Sequence, residues 1–331
     1  MGREKRLELI RQIEASRGSR LISYVTGDRA PFTTQIAEDA VRVLRRQLDI
    51  LGRSDKLDLF LYSRGGDMVA PLRIVGLLRE HCDRFGVLVP YRAHSAATSI
   101  ALGADEIVMG KSGELSPVDT TTGHPFNPRD PQQPDKMLPI SVEDVTSYFL
   151  LAREQAAIRD EQMVTVFNEL ANKINPLALG NVYRAYRMAR MVAEKLLGLH
   201  MDTRKDKKEI QDIVEHLTEK LCIHVYPIMR AEAETEIGLK ITKPDDNLES
   251  MMWSLYEDYE EELQLAQPFD PLALLGADNL KTVNIVGSYI ETALGCEHFL
   301  FSAQIKRADE APGQAAVNVT SVGWRSIGEA G

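Results

Sequence analysis

Apolar positions recur at helical spacing in two early stretches of the chain. Leu7, Ile10 and Ile13 mark one stripe on the charged segment 4–16, and Ile36, Ala40, Val43, Leu44 and Leu48 mark a second within 34–51. A period near 3.6 gathers such residues on one face, so both segments predict amphipathic helices. Between them, 19–25 (SRLISYV) reads as a strand. The short apolar runs 57–62 (LDLFLY), 85–90 (FGVLVP) and 106–109 (EIVM) have the length and texture of buried parallel strands. Helical spacing returns at 69–81 and 95–103. Strand and helix alternating at short intervals predict right-handed crossovers in one sheet, an α/β layered fold.

The pattern then changes. Residues 123–139 carry Pro125, Pro128, Pro131, Pro134 and Pro139 among few apolar residues, which predicts an irregular surface loop, either covering a pocket or disordered. Ser141 followed by Asp144 reads as a capping box opening a helix through 172. Asn175-Pro176 breaks it, and 177–199 forms a second long helix, so 141–199 is expected as a helical hairpin. Further helices are expected at 210–221 and at 231–238, the latter ending at Gly238. The acidic run 256–262 reads as an exposed helix face. Residues 282–290 fit a strand or a helix, and 317–326 alternate like an edge strand. The expected division is a main domain at 1–244 and a C-terminal extension at 245–331.

Composition narrows the function. At 331 residues, 44% apolar and 27% charged, the chain has an ordinary globular make-up. A formal charge of −10 argues against a nucleic-acid partner, because phosphate binding is driven by Lys and Arg. No apolar run approaches the roughly 20 residues of a membrane span. Cys82, Cys222 and Cys296 show neither metal-ligand nor disulfide spacing. They are expected to be buried thiols in a reducing cytoplasm, with no metal.

Two turns carry the candidate chemistry. Ser95 follows a strand-like run and opens a small-residue helix, and Gly65-Gly66 follow an earlier strand in Tyr62-Ser63-Arg64-Gly65-Gly66-Asp67. A serine nucleophile needs a base for its proton and donors for the developing oxyanion. Glycines let backbone N–H groups approach a substrate carbonyl, so Gly65, Gly66 and Ala96 are the expected oxyanion-hole residues. No nucleotide-binding glycine loop is present, so any use of ATP falls to a separate partner.

These residues resemble the serine dehydrogenase proteinase family, a branch of the ClpP and signal peptide peptidase A class. The likeness rests on 62–67 (YSRGGD), 93–98 (AHSAAT), 113–119 (GELSPVD), 175–180 (NPLALG) and 224–228 (HVYPI), continuing into Glu232-Ala233 and Gly238-Leu239. It implies a crotonase-like ββα spiral with layered sheets plus a helical extension. It further implies homo-oligomers, and serine peptidase chemistry on peptide or protein substrates without a cofactor. Ser95 takes the nucleophile position. The class places a histidine after the nucleophile and an aspartate later; here Asp119 stands in the first region and His224 in the later one. A Ser95, His224, Asp119 triad preserves the roles, since a triad is set by geometry rather than chain order. Relatives with a lysine base make Lys136 the alternative base. His94, next to Ser95, and His124, at a loop edge, are weaker. The rival readings are a crotonase-type acyl-CoA enzyme and an inactive scaffold of the same fold. A regulatory partner protein is left open.

Overall fold

The computed structural model describes residues 2–118, 121–133, 135–221, 223, 225–308 and 314–327. The first apolar runs become the alternation the pattern predicts: α1 (Arg3–Arg17), β1 (Arg20–Thr26), α2 (Asp39–Leu51), β2 (Ser54–Tyr62), α3 (Ala70–Arg79) and β3 (Cys82–Val89). Next come β4 (Arg92–Ala93), α4 (Ala96–Leu102), β5 (Glu106–Met109), β6 (Glu114–Leu115), β7 (Thr121–Thr122) and β8 (Ile140–Ser141). The helices α5 (Val142–Leu150), α6 (Met163–Lys173), α7 (Pro176–Leu197) and α8 (Lys207–Glu215) follow. The chain continues through β9 (Ile228–Met229), α9 (Arg230–Thr235), β10 (Ile241–Thr242), α10 (Asp246–Leu263) and α11 (Pro271–Leu275). It ends with β11 (Leu280–Thr292), β12 (Cys296–Arg307) and β13 (Ala315–Ser326).

Among the described residues, eight strands form one mixed sheet in the order β10-β5-β3-β2-β1-β11-β12-β13. The β10 to β1 half is parallel, and β1, β11, β12 and β13 pair antiparallel. The parallel strands are buried on both faces, which is why they read as unbroken apolar runs. One core lies between the sheet and α2, α3, α4, α7 and α8. A second lies between its other face and α1 with α10. The result is a mixed α/β fold consistent with the ClpP/crotonase-like class. Among the described residues no helix is long and apolar enough to cross a membrane.

Several expectations change. The helix expected at 141–172 is not continuous: α5 stops at Leu150, passes through a wide turn at Leu151–Gln155, and helix resumes in α6. Leu150 and Leu151 are exposed, so little apolar packing is present there to hold a straight helix together. Ser141 does cap α5, its Oγ accepting from Asp144 N at 2.9 Å. Asn175 likewise caps α7, accepting from Leu177 N at 2.9 Å. The C-terminal half of α7 enters the main core through Val192, Ala193, Leu196 and Leu197. Its N-terminal half packs in a small separate cluster with Ile140 and Val142. An open apolar cavity of about 360 Å³ lies there, lined by residues including Val145, Phe149, Leu179 and Tyr183. The run 256–262 is not simply a solvated face, because Tyr256, Asp258 and Tyr259 are buried. Residues 282–290 belong to strand β11, and 317–326 fall in β13, at the sheet's edge.

Candidate active site

A small second sheet positions the site. It joins β4, β6 and β9, parallel between the first pair and antiparallel between the second. Past the end of β2, Ser63 bridges Ala93, with Ser63 N donating to Arg92 O at 2.9 Å and His94 N to Ser63 O at 3.0 Å. The chain then turns at Ser95 with φ 51° and ψ −111° and enters α4. That backbone region is nearly reserved for glycine, and a serine held there is strained. It presents the side chain at a sharp strand-to-helix corner, the mechanics of a nucleophile elbow. Three hydrogen bonds hold the corner: Ser95 N to Ser116 Oγ at 2.8 Å, Ala97 N to His94 O at 2.9 Å, and Thr98 Oγ1 to Ala93 O at 2.7 Å. Ser116 and Thr98 are fully buried, whereas Ser95 is partly exposed.

The glycine pair lies against this corner. Gly65 has φ 109° and Gly66 φ 154°, values that favour glycine. A Cβ on Gly65 would sit 2.8 Å from Ser95 Cβ and 3.2 Å from its Oγ, and one on Gly66 would sit 2.1 Å from Ile36 O. Neither position has room for a side chain. Ile36 N donates to Gly65 O at 2.9 Å and Asp67 N to Ile36 O at 2.8 Å. Backbone groups alternate in direction along an extended segment, so the Gly66 amide faces away from Ile36. Among the described residues, the N–H groups of Gly66 and Ala96 have no acceptor. The Gly65 amide differs, since it already donates to Ser63 Oγ at 3.0 Å. Asp67 is spent locally, its Oδ1 accepting from Val69 N at 2.6 Å and from Ala70 N at 3.2 Å. Arg64 pairs with Asp28.

His94 is buried and turns its ring away to Glu114, with Nε2 3.1 Å from Oε1. Glu114 also accepts from Arg92 Nε at 2.9 Å. Burial holds the His94 imidazole below its ordinary pKa; Glu114 opposes this, while Arg92 and Arg64 reinforce it. With the folded-state pKa below the unfolded one, the unfolded chain takes up the proton first as pH falls. This contribution to stability is whole above the ordinary histidine range, and is lost as pH falls through that range toward the folded-state value. Thermal unfolding between about pH 8 and about pH 5 should therefore fall more gently for His94→Gln than for the parent. Parallel curves would remove His94 as a contributor.

Asp119 and His224 lie outside the described residues. Described stretches some positions to either side of 224 meet the chain just before 119. Val118 N donates to Leu217 O at 3.0 Å, and Leu115 pairs with Ile228 in β6–β9. The chain from 217 to 228 thus leaves and rejoins 115–118, the stretch whose Ser116 hydroxyl anchors Ser95. Lys136 is exposed on the 123–139 loop, where its backbone bonds to Gln133 and Asp130. His124 sits in the same loop with Nδ1 accepting from Phe126 N at 3.3 Å.

Sequence reading missed Ser116, Thr98 and Ile36. Ser116 and Thr98 fall within quoted motifs and Ile36 in the stripe read as helix, yet their parts depend on which distant segment they meet, and no local signal marks that.

The family ClpP-like SDH-type serine proteinase matches residues 2–178, more than half of the chain, including Gly65, Gly66 and Ser95. The chain belongs to that family. Two proteins of Methanocaldococcus jannaschii are similar to it along most of their lengths. Uncharacterized protein MJ1495 is 26% identical over 264 residues, covering 78% of this chain and 77% of its own. Uncharacterized protein MJ0137 is 23% identical over 266 residues, covering 77% and 79%. The family match ends before position 224, so it covers the elbow and the glycine turn but does not reach His224.

Proposed function

We propose that this chain cleaves peptide bonds through an acyl-enzyme on Ser95. The observation that carries the reading is the strained Ser95 corner pressed against Gly65, with two amides beside it, of Gly66 and Ala96, that have no acceptor among the described residues. Ser95 Oγ attacks the substrate carbonyl carbon and His224 takes its proton. The carbonyl oxygen gains charge and is held by the Gly66 and Ala96 N–H groups. His224 returns the proton to the leaving amine, and a water activated by the same imidazole then releases the acyl group. Asp119 orients His224 and stabilises its charged form. Gly65 contributes space rather than a donor.

The convergence of 115–118 with 217–228 favours His224 as base. Lys136 is the weaker alternative, because a lysine must be desolvated to be neutral near pH 7 and Lys136 lies exposed. The reading places the chemistry in residues 1–244, while 245–331 complete the sheet. The exposed apolar surface of α5 to α7 supports assembly into a homo-oligomer. The buried free thiols Cys82 and Cys296 suit a reducing cytoplasm.

Two variants separate the bases. His224→Ala is expected to lower turnover of a fluorogenic peptide by about 10⁶-fold, and Lys136→Ala to leave it near the parent value. The reverse result assigns the base to Lys136. Unchanged turnover in both ends the triad reading.

A further inference from the structure

We propose that the free edge of β13 is an interface with a second copy of this chain, the two β13 strands pairing antiparallel across a two-fold axis. The inference is independent of the peptidase reading and concerns residues beyond the family match.

The edge is long. β13 spans 12 residues and, among the described residues, pairs with β12 alone. A row of unpaired backbone groups is a template for another strand, and proteins that keep such edges free blunt them with charge or proline. From Ala315 to Trp324 the strand carries neither, and its one interruption is a bulge at Thr320. Val319 and Val322 are 45% and 53% exposed.

The strand also matches itself. Thr320 is an extra residue in the β12–β13 ladder, which pairs Ser302 with Ser321 and Ala303 with Val319. Such a bulge shifts the face of every side chain beyond it. Val317 and Val319 on one side of it, and Val322 and Trp324 on the other, therefore share the face of Ile305, Ala303, Phe301 and Phe299. A two-fold axis normal to the sheet keeps each residue on its own face, so residues that meet across it must already share one. Centred between Thr320 and Ser321, it sets Val319 opposite Val322 and Val317 opposite Trp324, apolar pairs of the kind that stabilise antiparallel strands. Arg325, the one charged residue of the strand, meets Ala316. No like charges face each other, and the bulge is what makes this register consistent. A strand of unrelated sequence would gain the backbone bonds without this match, which is why the second copy is the favoured occupant.

The test is a matched pair of variants of the full chain. Val319→Lys and Val322→Glu, each alone, are expected to reduce the assembled mass in sedimentation by a factor of about two. Mixed in equal amounts they should restore it. The lysine introduced in one copy then meets the glutamate introduced in the other, while the unchanged Val322 and Val319 meet as before. Hydrogen exchange on the parent gives a second reading without mutation: β13 amides facing away from β12 should be protected in the assembly and lose protection on dilution. The proposal is overturned by a parent that is monomeric, by folded variants of unchanged mass, or by mixing that restores nothing. Protection of β13 that appears only when an unrelated polypeptide is added also overturns it, in favour of a peptide-docking edge.

Discussion

Ser95→Ala should abolish labelling by a serine-reactive phosphonate and lower peptide turnover by about 10⁵-fold or more, the scale on which losing a triad nucleophile acts. It should do so with little change in stability. The Ser95 N–H to Ser116 bond is a backbone donation and survives the substitution, and alanine inherits the same strained backbone. Ser95→Gly separates strain from chemistry. Glycine adopts φ 51° without cost, so this variant should be more stable than the parent by about 1 kcal/mol, the low end of what such backbone strain stores. A protein that becomes more stable as it becomes inactive carries strain at its working residue. A phosphonate label that persists in Ser95→Ala would move the nucleophile elsewhere, and Ser95→Gly with stability unchanged would deny the strain.

The parallel strands were legible because burial on both faces leaves an unbroken apolar run, as in 57–62. The elbow was legible because Ser95 and Gly65-Gly66 each follow such a strand. The small sheet that assembles them was not: β4, β6 and β9 have two residues each, too few for any period. The 141–172 stretch failed for the opposite reason. Its local sequence favours helix, with neither glycine nor proline to signal a stop, and the interruption follows from what the helix lacks to pack against. The C-terminal strands were half legible. Alternation in 317–326 survived because one face is apolar, while the bulge at Thr320 depends on the partner strand.

Arg6 illustrates the remaining gap and gives the largest expected effect on stability. Within the segment 4–16 it reads as part of the polar face, and Asp258 reads as part of a solvated acidic run. In the fold both are buried, with Glu291, where α1, α10 and β11 meet. Arg6 Nε donates to Glu291 Oε2 at 2.7 Å and Nη1 to Asp258 Oδ1 at 3.0 Å. The guanidinium lies 5.0 Å from the Tyr259 ring centre and 4.9 Å from that of Tyr289. Tyr259 hydroxyl adds a bond to Glu291 Oε2 at 2.9 Å. No periodicity announces this, because the partners are separated by 252 and 285 positions. Arg6→Met keeps most of the volume and removes the charge, leaving two buried carboxylates whose remaining cationic partners among the described residues are the partly exposed Arg3 and Lys5. Breaking a buried pair in this way costs about 3–5 kcal/mol, and denaturant unfolding near neutral pH should record a loss of that order. A loss below about 1 kcal/mol, the scale of an exposed ion pair, would mean that packing of α1 and α10, rather than their buried charges, secures this side of the sheet.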